Sequence, residues 1–572
     1  MDSVKPSGEK IKFKLFIYIV PLLYLAWFFM RSHLEGPFYL TRIDPHYPYL
    51  LNGLNCALFE FDRIGHIDHP GTPLQIITGI FIRITHLIAG EGNIADDVIN
   101  NPEKYLQWSS FYLALIATLI LIWLGKITFR NTKNYFGTII IQSSLFLHPR
   151  LMETAISYDS NRVLPYFVLI LTGLCLKFIY DGKFTETKFA IYSGVCIGIA
   201  FITKINFLPL IIIPPVLMWK LKGTAIFSAS FLLSGAVSIL PIHNKINNSF
   251  QFFKGIFKHD GLYGSGNQQF INIQDFFENM SQIIRHNPIT LILFFVSLTT
   301  VMLLIIKPAY RKNKKNEFRI INSSLFISLL GSIIVAKHYK EDYILPFIAL
   351  NGFILFTLRN VISGILPIRL VNIISGVFLL LFLSIPSYKY WLSYPDRSVK
   401  LQEHQYSAQI MQKIIGKDDY LLIEPTWLSG PFIENSLIFG ITYVANKHIY
   451  YNSFRKYYPR LISFEGQHNP WRFFRMPEVE SEAIFKSGKD LYVYSSPGRN
   501  AHLLEESIYE RSNLLGISMQ KDTVFSNVTQ NEFLYRFKNT SEWKTIYSGN
   551  CGFEQTMSGS SFTDDGEYQL YG

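Results

Sequence analysis

Asp44 is the strongest candidate for acid–base chemistry in this sequence. It lies in the segment TRIDPHYPYLLNGL, at 41–54, where Pro45 and Pro48 restrict the backbone. A carboxylate within hydrogen-bond reach of an incoming hydroxyl or amine can accept its proton. The alternative is structural, because an Asp before a proline is common at the start of a helix, where it caps backbone amides. Three neighbours are candidates for supporting this loop or contacting a substrate: Arg42, His46 and Tyr49.

A second polar segment follows, HIDHPGTPLQ at 66–75. Asp68 and His69 precede Pro-Gly-Thr-Pro, a sequence typical of a rigid turn. His66, Asp68 and His69 are conceivable metal ligands, but their spacing matches no ligand pattern. We therefore favour a structural turn that packs against the loop of Asp44, and we expect no metal or cofactor.

Two further polar positions stand where apolar runs begin or end. Asp159 and Arg162, in SYDSNR, are candidates for supporting the loop or contacting a substrate, and the structural alternative is that they cap a helix and pair with each other. Lys204, in FITKINFLPL, ends an apolar run. A lysine at a membrane interface usually extends its ammonium group towards lipid headgroups. The same ammonium group would suit a lipid-linked phosphate at that depth.

The segment KHYKEDY, at 337–343, combines cations, an aromatic ring and a carboxylate. A cation cluster of this kind can neutralise the charge on a departing phosphate. Its candidate site residues are His338, Tyr339, Lys340 and Asp342.

The elements that would position these residues are membrane helices. The chain is 49% hydrophobic and only 17% charged, whereas soluble domains carry about 25% charged residues. A membrane-spanning helix needs roughly 20 apolar residues. We predict an α-helical polytopic protein with about eleven spans: Leu15–Met30, Ser109–Leu124, Tyr135–Leu147, Arg162–Tyr180, Phe189–Thr203, Phe207–Trp219, Gly223–Pro241, Ile289–Ile306, Ile320–Ala336, Ile344–Leu358 and Leu370–Ile385.

The charge pattern predicts the orientation of these spans. Lys and Arg cluster in alternate connecting segments, of which 307–319 is the densest, as expected of loops on the cytoplasmic side. The N-terminus is therefore expected inside, with a retained anchor helix. The outer loops are expected at 31–107, 151–161 and 242–288. All the polar segments above then face one side of the membrane.

The composition changes after residue 386. We predict a transmembrane domain at 1–386 and a soluble extracytoplasmic α/β domain at 387–572, with a helix over Gln402–Ile415 and strands at Tyr420–Ile423 and Leu491–Tyr494. The net charge of +11 does not indicate nucleic-acid binding, since the basic residues lie in the inner loops. The four scattered cysteines predict no disulfide framework.

These features together resemble the GT-C superfamily of integral-membrane glycosyltransferases, which includes the protein O-mannosyltransferases and the lipid A aminoarabinose transferases. The resemblance covers about 15–358. It rests on acidic residues in the first two outer loops (Asp44 and Asp159), the TK-x-x-x-LP element ending at Pro209, and KHYKEDYILP at 337–346. The chain departs from the pattern in two places. Many members have adjacent acidic residues where this chain has Asp-Pro-His, and an arginine where it has Glu341-Asp342.

The resemblance implies a polyprenyl-phosphate-linked sugar as donor and an extracytoplasmic lipid, glycan or protein as acceptor. Asp44 would be the general base of an inverting transfer, and Lys204, His338 and Lys340 would bind the donor phosphate. It also implies that the aromatic and basic segment 250–258 lies in the interface and shapes the lipid entry. A bacterial inner membrane fits this interpretation.

Two other function classes stay open. A flippase of lipid-linked saccharides would need polar elements near the bilayer midplane, and usually internal repeats, neither of which is visible. A non-catalytic envelope assembly protein would act through its C-terminal domain. Within the enzymes, a polymerase or a transferase of whole oligosaccharides is the nearest alternative, although the chain has no WWD motif.

Overall fold

The computed structural model describes most of the chain, in the ranges 15–67, 71–261, 265–424, 426–466, 469–476, 478–496, 501–528 and 531–540. Up to Ile414 the described residues are mostly helical. The α-helices of this part are α1 (Ile19–Glu35), α2 (Phe38–Thr41), α3 (His46–Ala57), α4 (Thr72–Ala89), α5 (Ile94–Asn100), α6 (Pro102–Thr132), α7 (Tyr135–Gln142), α8 (Pro149–Glu153), α9 (Ser160–Tyr180), α10 (Glu186–Thr203), α11 (Ile213–Met218), α12 (Leu221–Ile239), α13 (Ile246–Lys258), α14 (Ile273–His286), α15 (Pro288–Ile306), α16 (Pro308–Asn313), α17 (Lys315–Lys337), α18 (Leu345–Ala349), α19 (Asn351–Ile362) and α20 (Ile368–Ile414).

Within the described ranges, nine helical segments are long and apolar enough to cross a membrane. This finding confirms the predicted helical membrane fold. The two shortest predicted spans are shorter apolar segments, at Tyr135–Phe146 and Ile205–Met218. One of the nine, Thr72–Ala89, was predicted as part of an outer loop.

The contacts of α4 explain why it need not cross the membrane. At its start, Gly71 donates to the carbonyl of Ile202 and the Thr72 hydroxyl donates to the carbonyl of Ser238, at the ends of α10 and α12. At its other end, Lys104, at the start of α6, donates to the carbonyl of Ala89. Lys204, which follows α10, lines the same cavity as Asp44. Glu103, in the first turn of α6, accepts from the Tyr39 amide and the Tyr47 hydroxyl on either side of Asp44. Both ends of α4 therefore lie at the same end of the bundle.

Close packing joins α10 and α12. Gly194 and Gly198 are one helical turn apart, and a Cβ atom on Gly198 would lie 2.1 Å from the Ser234 hydroxyl and 2.6 Å from the Phe231 carbonyl oxygen. Small residues at this spacing let membrane helices approach closely. Much of the remaining surface of α12 is apolar and exposed, as expected of a helix that faces lipid.

The C-terminal region forms a mixed five-stranded sheet. Its strands are β1 (Tyr420–Ile423), β2 (Leu461–Ser463), β3 (Leu491–Ser495), β4 (Met519–Asn527) and β5 (Glu532–Asn539), in the spatial order β2-β1-β3-β5-β4. The strands β2, β1 and β3 are parallel, and β5 pairs antiparallel with β3 and β4. Four helices connect them: α21 (Ile433–Ile441), α22 (Tyr451–Tyr457), α23 (Ser481–Phe485) and α24 (Ala501–Leu514).

The predicted strands at Tyr420–Ile423 and Leu491–Tyr494 are present. The predicted helix at Gln402–Ile415 is instead the last part of α20, which continues without a break through the predicted domain boundary at 386. Hydrogen bonds also join the two regions, from Asn52 in α3 to the Tyr443 carbonyl and from the Tyr450 hydroxyl to Asn55. The sheet region is thus docked on the first loop of the bundle.

Candidate active site

A cavity of about 510 Å³ lies between the bundle and the C-terminal region, and we call it the chamber. It collects residues from five separate parts of the chain. Eight of the residues predicted from sequence line it: Arg42, Asp44, His46, Tyr49, Asp159, Lys204, Lys340 and Asp342.

The Asp44 carboxylate belongs to the chamber and does not cap a helix. It lies between α2 and α3, and the N-cap position of α3 is Pro45, which makes no side-chain cap. Burial raises the pKa of Asp44, while the charges of Lys340 and His66 oppose this shift. The capping alternative for Asp44 is therefore wrong, and Asp44 lines the cavity.

Asp159 does cap a helix. Its side chain accepts a hydrogen bond of 3.0 Å from the backbone amide of Arg162 at the start of α9. The predicted pairing with the Arg162 guanidinium is not formed, because that group is turned into the core. It donates to the Tyr166 hydroxyl, to Ser110 and to the Ser157 carbonyl.

Lys204 is held at the chamber wall by two neighbours. Its Nζ donates to Asn161 Oδ1 at 2.6 Å and lies 4.4 Å from the centre of the Tyr343 ring. Burial lowers the pKa of Lys204 to about 8, against the opposing effect of Asp159 and Asp342. The ammonium group is thus buried, oriented and close to the acidic groups of the chamber.

Arg150 neutralises Asp342. The Arg150 Nε lies 2.5 Å from Asp342 Oδ1, and its Nη1 lies 2.9 Å from Glu153 Oε2. These carboxylates raise the pKa of Arg150. Because Asp342 is paired in this way, Asp44 and the helix cap Asp159 remain as the other acidic groups of the chamber wall.

Besides Arg162, four predicted residues lie elsewhere or outside the described ranges. His338 bonds to the Ile256 carbonyl, and Tyr339 bonds to His286, so neither lines the chamber. Asp68 and His69 lie outside the described residues. With them, two of the three conceivable metal ligands fall beyond what the structure describes.

Sequence reasoning missed several chamber residues. His66 lies between the rings of Tyr49 and Tyr443, with ring centres 5.1 Å apart in both cases, and burial lowers its pKa to about 4. The sequence marks His66 only as a conceivable metal ligand, in a segment for which a structural turn is favoured. Three residues of the loop after β1 also line the chamber, and no local signal marks them: Trp427, Leu428 and Ser429.

An apolar cavity of about 210 Å³ adjoins the chamber, and we call it the groove. Lys204 and Tyr343 line both cavities. The rest of the groove is mostly aliphatic and aromatic, from the segment after Lys204, the end of α13, the end of α17 and Phe270. Lys337 closes one side by donating to the carbonyls of Ile256 and Phe257. A polar chamber therefore meets an apolar groove at one ammonium group.

Comparison with known proteins finds one matching family model and a similar solved structure. The model of glycosyltransferase family 87 matches residues 104–332, a segment that includes Asp159 and Lys204 but not Asp44 or Lys340. No curated protein matches the sequence. Among solved structures, ArnT from Cupriavidus metallidurans bound to undecaprenyl phosphate aligns with a TM-score of 0.45 and 12% identity, over 93% of this chain and 98% of that chain. The segment 104–332 is thus similar to a glycosyltransferase family.

Proposed function

We propose that this chain is a GT-C glycosyltransferase that moves a sugar from a polyprenyl-phosphate donor to an extracytoplasmic lipid, glycan or protein, with inversion at the anomeric carbon. The observation that carries the proposal is the junction of chamber and groove at Lys204. A phosphate on a long hydrocarbon chain needs an apolar channel that ends at a cation. The groove and Lys204 supply both.

Asp44 is the proposed general base. Its carboxylate accepts the proton of the acceptor hydroxyl or amine, whose oxygen or nitrogen attacks the anomeric carbon. The bond between that carbon and the phosphate oxygen breaks, and the polyprenyl phosphate leaves with the electron pair. A buried carboxylate with a raised pKa is a stronger base than an exposed one.

Lys204 and Lys340 are the proposed phosphate ligands. Both line the chamber, and a fixed cation in a partly buried site stabilises the charge that develops on the leaving phosphate. His338 supports the proposal in a different way, since its bond to the Ile256 carbonyl ties α17 to α13 beside the groove. We therefore assign it a part in shaping the groove.

The orientation is part of the proposal. The basic segment joins the end of α15 to the start of α17. The other ends of these helices lie near the groove, since the end of α17 lines it and His286, just before α15, bonds to Tyr339. Positive segments favour the cytoplasmic side. The chamber and the sheet region would then face outward, and the N-terminus inward, in a bacterial inner membrane.

A direct transfer assay tests the function. Purified full-length protein is incubated with a radiolabelled polyprenyl-phosphate sugar together with one fraction of the cell envelope at a time: lipid, glycan or protein. We expect label in one fraction, and an anomeric configuration by NMR opposite to that of the donor. Retention of the donor configuration would contradict the inverting mechanism, and no transfer to any fraction would contradict the donor class.

The Asp44→Asn variant tests the base. General base catalysis contributes about 10²–10⁴-fold, so turnover should fall by about that factor while the donor still binds. Asp62→Asn, at a carboxylate that does not line the chamber, is the matched control. Full turnover in Asp44→Asn would remove the carboxylate from the mechanism.

A further inference from the structure

One carboxylate holds the chain on both sides of Asp44. Glu103, in the first turn of α6, accepts hydrogen bonds of 2.8 Å and 2.9 Å from the backbone amides of Phe38 and Tyr39. It also accepts one of 2.7 Å from the Tyr47 hydroxyl. The two amides open α2, and the hydroxyl belongs to the first turn of α3. Asp44 lies between these two helices in the chain.

These bonds replace a cap that α2 lacks. The residue before this short helix is Pro37, which makes no side-chain cap, and the first amides of a helix have no partner within the helix. The Glu103 carboxylate satisfies two of them, although it is 65 residues from Phe38 in the chain. A carboxylate accepts with both oxygens, whereas the amide of a glutamine has a single acceptor atom. The position of α2 therefore depends on the chemical type of this side chain.

The first turn of α6 is itself fixed. Asp97, in α5, accepts from the Lys104 ammonium group at 2.9 Å and from the Tyr105 hydroxyl at 2.6 Å. These two donors directly follow Glu103, and the Tyr105 side chain is buried. The Tyr47 ring at the other end of the contact is buried as well. The carboxylate is thus held between a fixed helix start and a buried ring.

The chain between the two anchored helices is short. Residues 42–45 join α2 to α3, and all of them line the chamber. Glu103 lines neither the chamber nor the groove, so it does not contact a substrate held there. It can act on the reaction only through the segment that it holds. A displacement of about 1 Å caused by a distant substitution can cost about 10²-fold in rate.

We propose that Glu103 is a positioning residue, which fixes the Asp44 carboxylate at the place in the chamber where it acts as the base. The role of Asp44 in this inference rests on the proposed function. The anchoring of α2 and α3 does not, because it follows from the three hydrogen bonds alone.

The variant Glu103→Gln tests the role. It keeps the shape of the side chain but cannot accept from both amides with separate oxygens. We expect kcat in the transfer assay to fall by about 10- to 100-fold, with little change in KM for either substrate. A looser segment leaves Asp44 less buried, which reduces the upward shift of its pKa. The pH below which kcat/KM falls should therefore decrease.

Three further variants make the kinetic test specific. Tyr47→Phe removes one bond and keeps the buried ring, so its effects should have the same direction and be smaller. Glu186→Gln changes the first-turn glutamate of α10, which lines neither cavity, and should change neither kcat nor the pH profile. Adding Glu103→Gln to Asp44→Asn should change the residual turnover little, because both substitutions act on one group.

Hydrogen–deuterium exchange measures the anchoring without turnover. The amides of Phe38 and Tyr39 should exchange faster in Glu103→Gln than in the unmodified protein or in Glu186→Gln. Unchanged exchange would overturn the proposal, and so would an unmoved pH profile or a loss of kcat that is equally large in the Asp44→Asn background. If the unmodified protein transfers no sugar, the proposed function fails, whereas faster exchange in Glu103→Gln would still support the anchoring.

Discussion

At the residue scale, one physical cause shifts the pKa values of both Asp44 and Lys204. Burial disfavours the charged form of each, so it raises the pKa of Asp44 and lowers the pKa of Lys204 to about 8. The proposed mechanism needs both groups charged. Their opposite shifts narrow the pH range in which this condition holds.

A bell-shaped pH profile of kcat/KM follows. Activity should fall as pH drops through the raised pKa of Asp44, because the protonated carboxyl cannot accept a proton. It should also fall as pH rises through about 8, because Lys204 loses its charge. The dependence of kcat/KM reports groups of the free enzyme.

The variant Lys204→Arg separates the two limbs. Arginine stays charged at any relevant pH, so the alkaline limb should move upward or vanish while the acid limb stays in place. Because arginine differs in shape from lysine, the variant should also lose absolute activity. This loss does not affect the test, since the measurement is the pH at which activity falls. An alkaline limb unchanged in Lys204→Arg would assign it to another group.

At the element scale, the loop after β1 brings the C-terminal region to the chamber. The Trp427 side chain lines the chamber and is 66% exposed. An exposed indole at the mouth of the proposed sugar site offers a flat apolar face, of the kind against which sugar rings pack. Pairs of aromatic side chains contribute about 0.5–1.5 kcal/mol beyond burial, and we expect a contribution of similar size from a sugar ring on this indole.

We therefore predict that Trp427→Ala raises KM for one substrate by up to about tenfold, with a smaller change in kcat. The measurement is the transfer assay with donor and acceptor varied in turn. Trp219→Ala is the control, because Trp219 is also exposed but does not line the chamber. An unchanged KM for both substrates would exclude a sugar contact.

The packing of α10 against α12 supports a second prediction at this scale. Gly198→Ala would place a methyl group 2.1 Å from Ser234 Oγ and 2.6 Å from a backbone oxygen. Overpacking of this kind typically costs about 1–3 kcal/mol. We expect a lower apparent melting temperature in detergent.

Gly235→Ala provides the matched control for this helix pair. The nearest atom to its added Cβ is 3.7 Å away, which is an ordinary contact. Its melting temperature should stay close to that of the unmodified protein. Equal destabilisation by both substitutions would show that close approach at Gly198 is not the cause.

At the scale of the whole molecule, the orientation in the membrane can be measured. Single cysteines at Lys489, on the sheet region, and at Lys312, in the basic segment, are both exposed positions. We expect a membrane-impermeant maleimide to label Lys489→Cys in intact cells. Lys312→Cys should react only after permeabilisation, because positive segments are retained inside. The reverse pattern would invert the proposed topology.

The parent for these variants should lack Cys551, which lies outside the described residues. Cys56, Cys175 and Cys196 are buried and stay as they are. A Cys551→Ser parent with no introduced cysteine gives the background labelling. Without that background, reaction at Lys489→Cys cannot be assigned to the new thiol.

Several features of this protein are local enough to be determined by the sequence alone. Apolar runs of sufficient length predict the membrane helices, since backbone groups in lipid must bond within their own segment. The strands at 420–423 and 491–494 follow from short β-branched and aromatic runs, and Asp44, Asp159, Lys204 and Lys340 stand out as polar groups where apolar runs end. Each of these features can be predicted from its immediate neighbours in the chain.

Only the tertiary structure decided which polar groups share a cavity. His338 and Lys340 are two residues apart, yet Lys340 lines the chamber while His338 faces the groove. Trp427 is far from Asp44 in sequence, and the docking of the sheet region on α3 brings it to the chamber. Long-range packing determines these placements, and it also determines how deeply Asp44 and Lys204 are buried. For that reason no local pattern predicts their shifted pKa values.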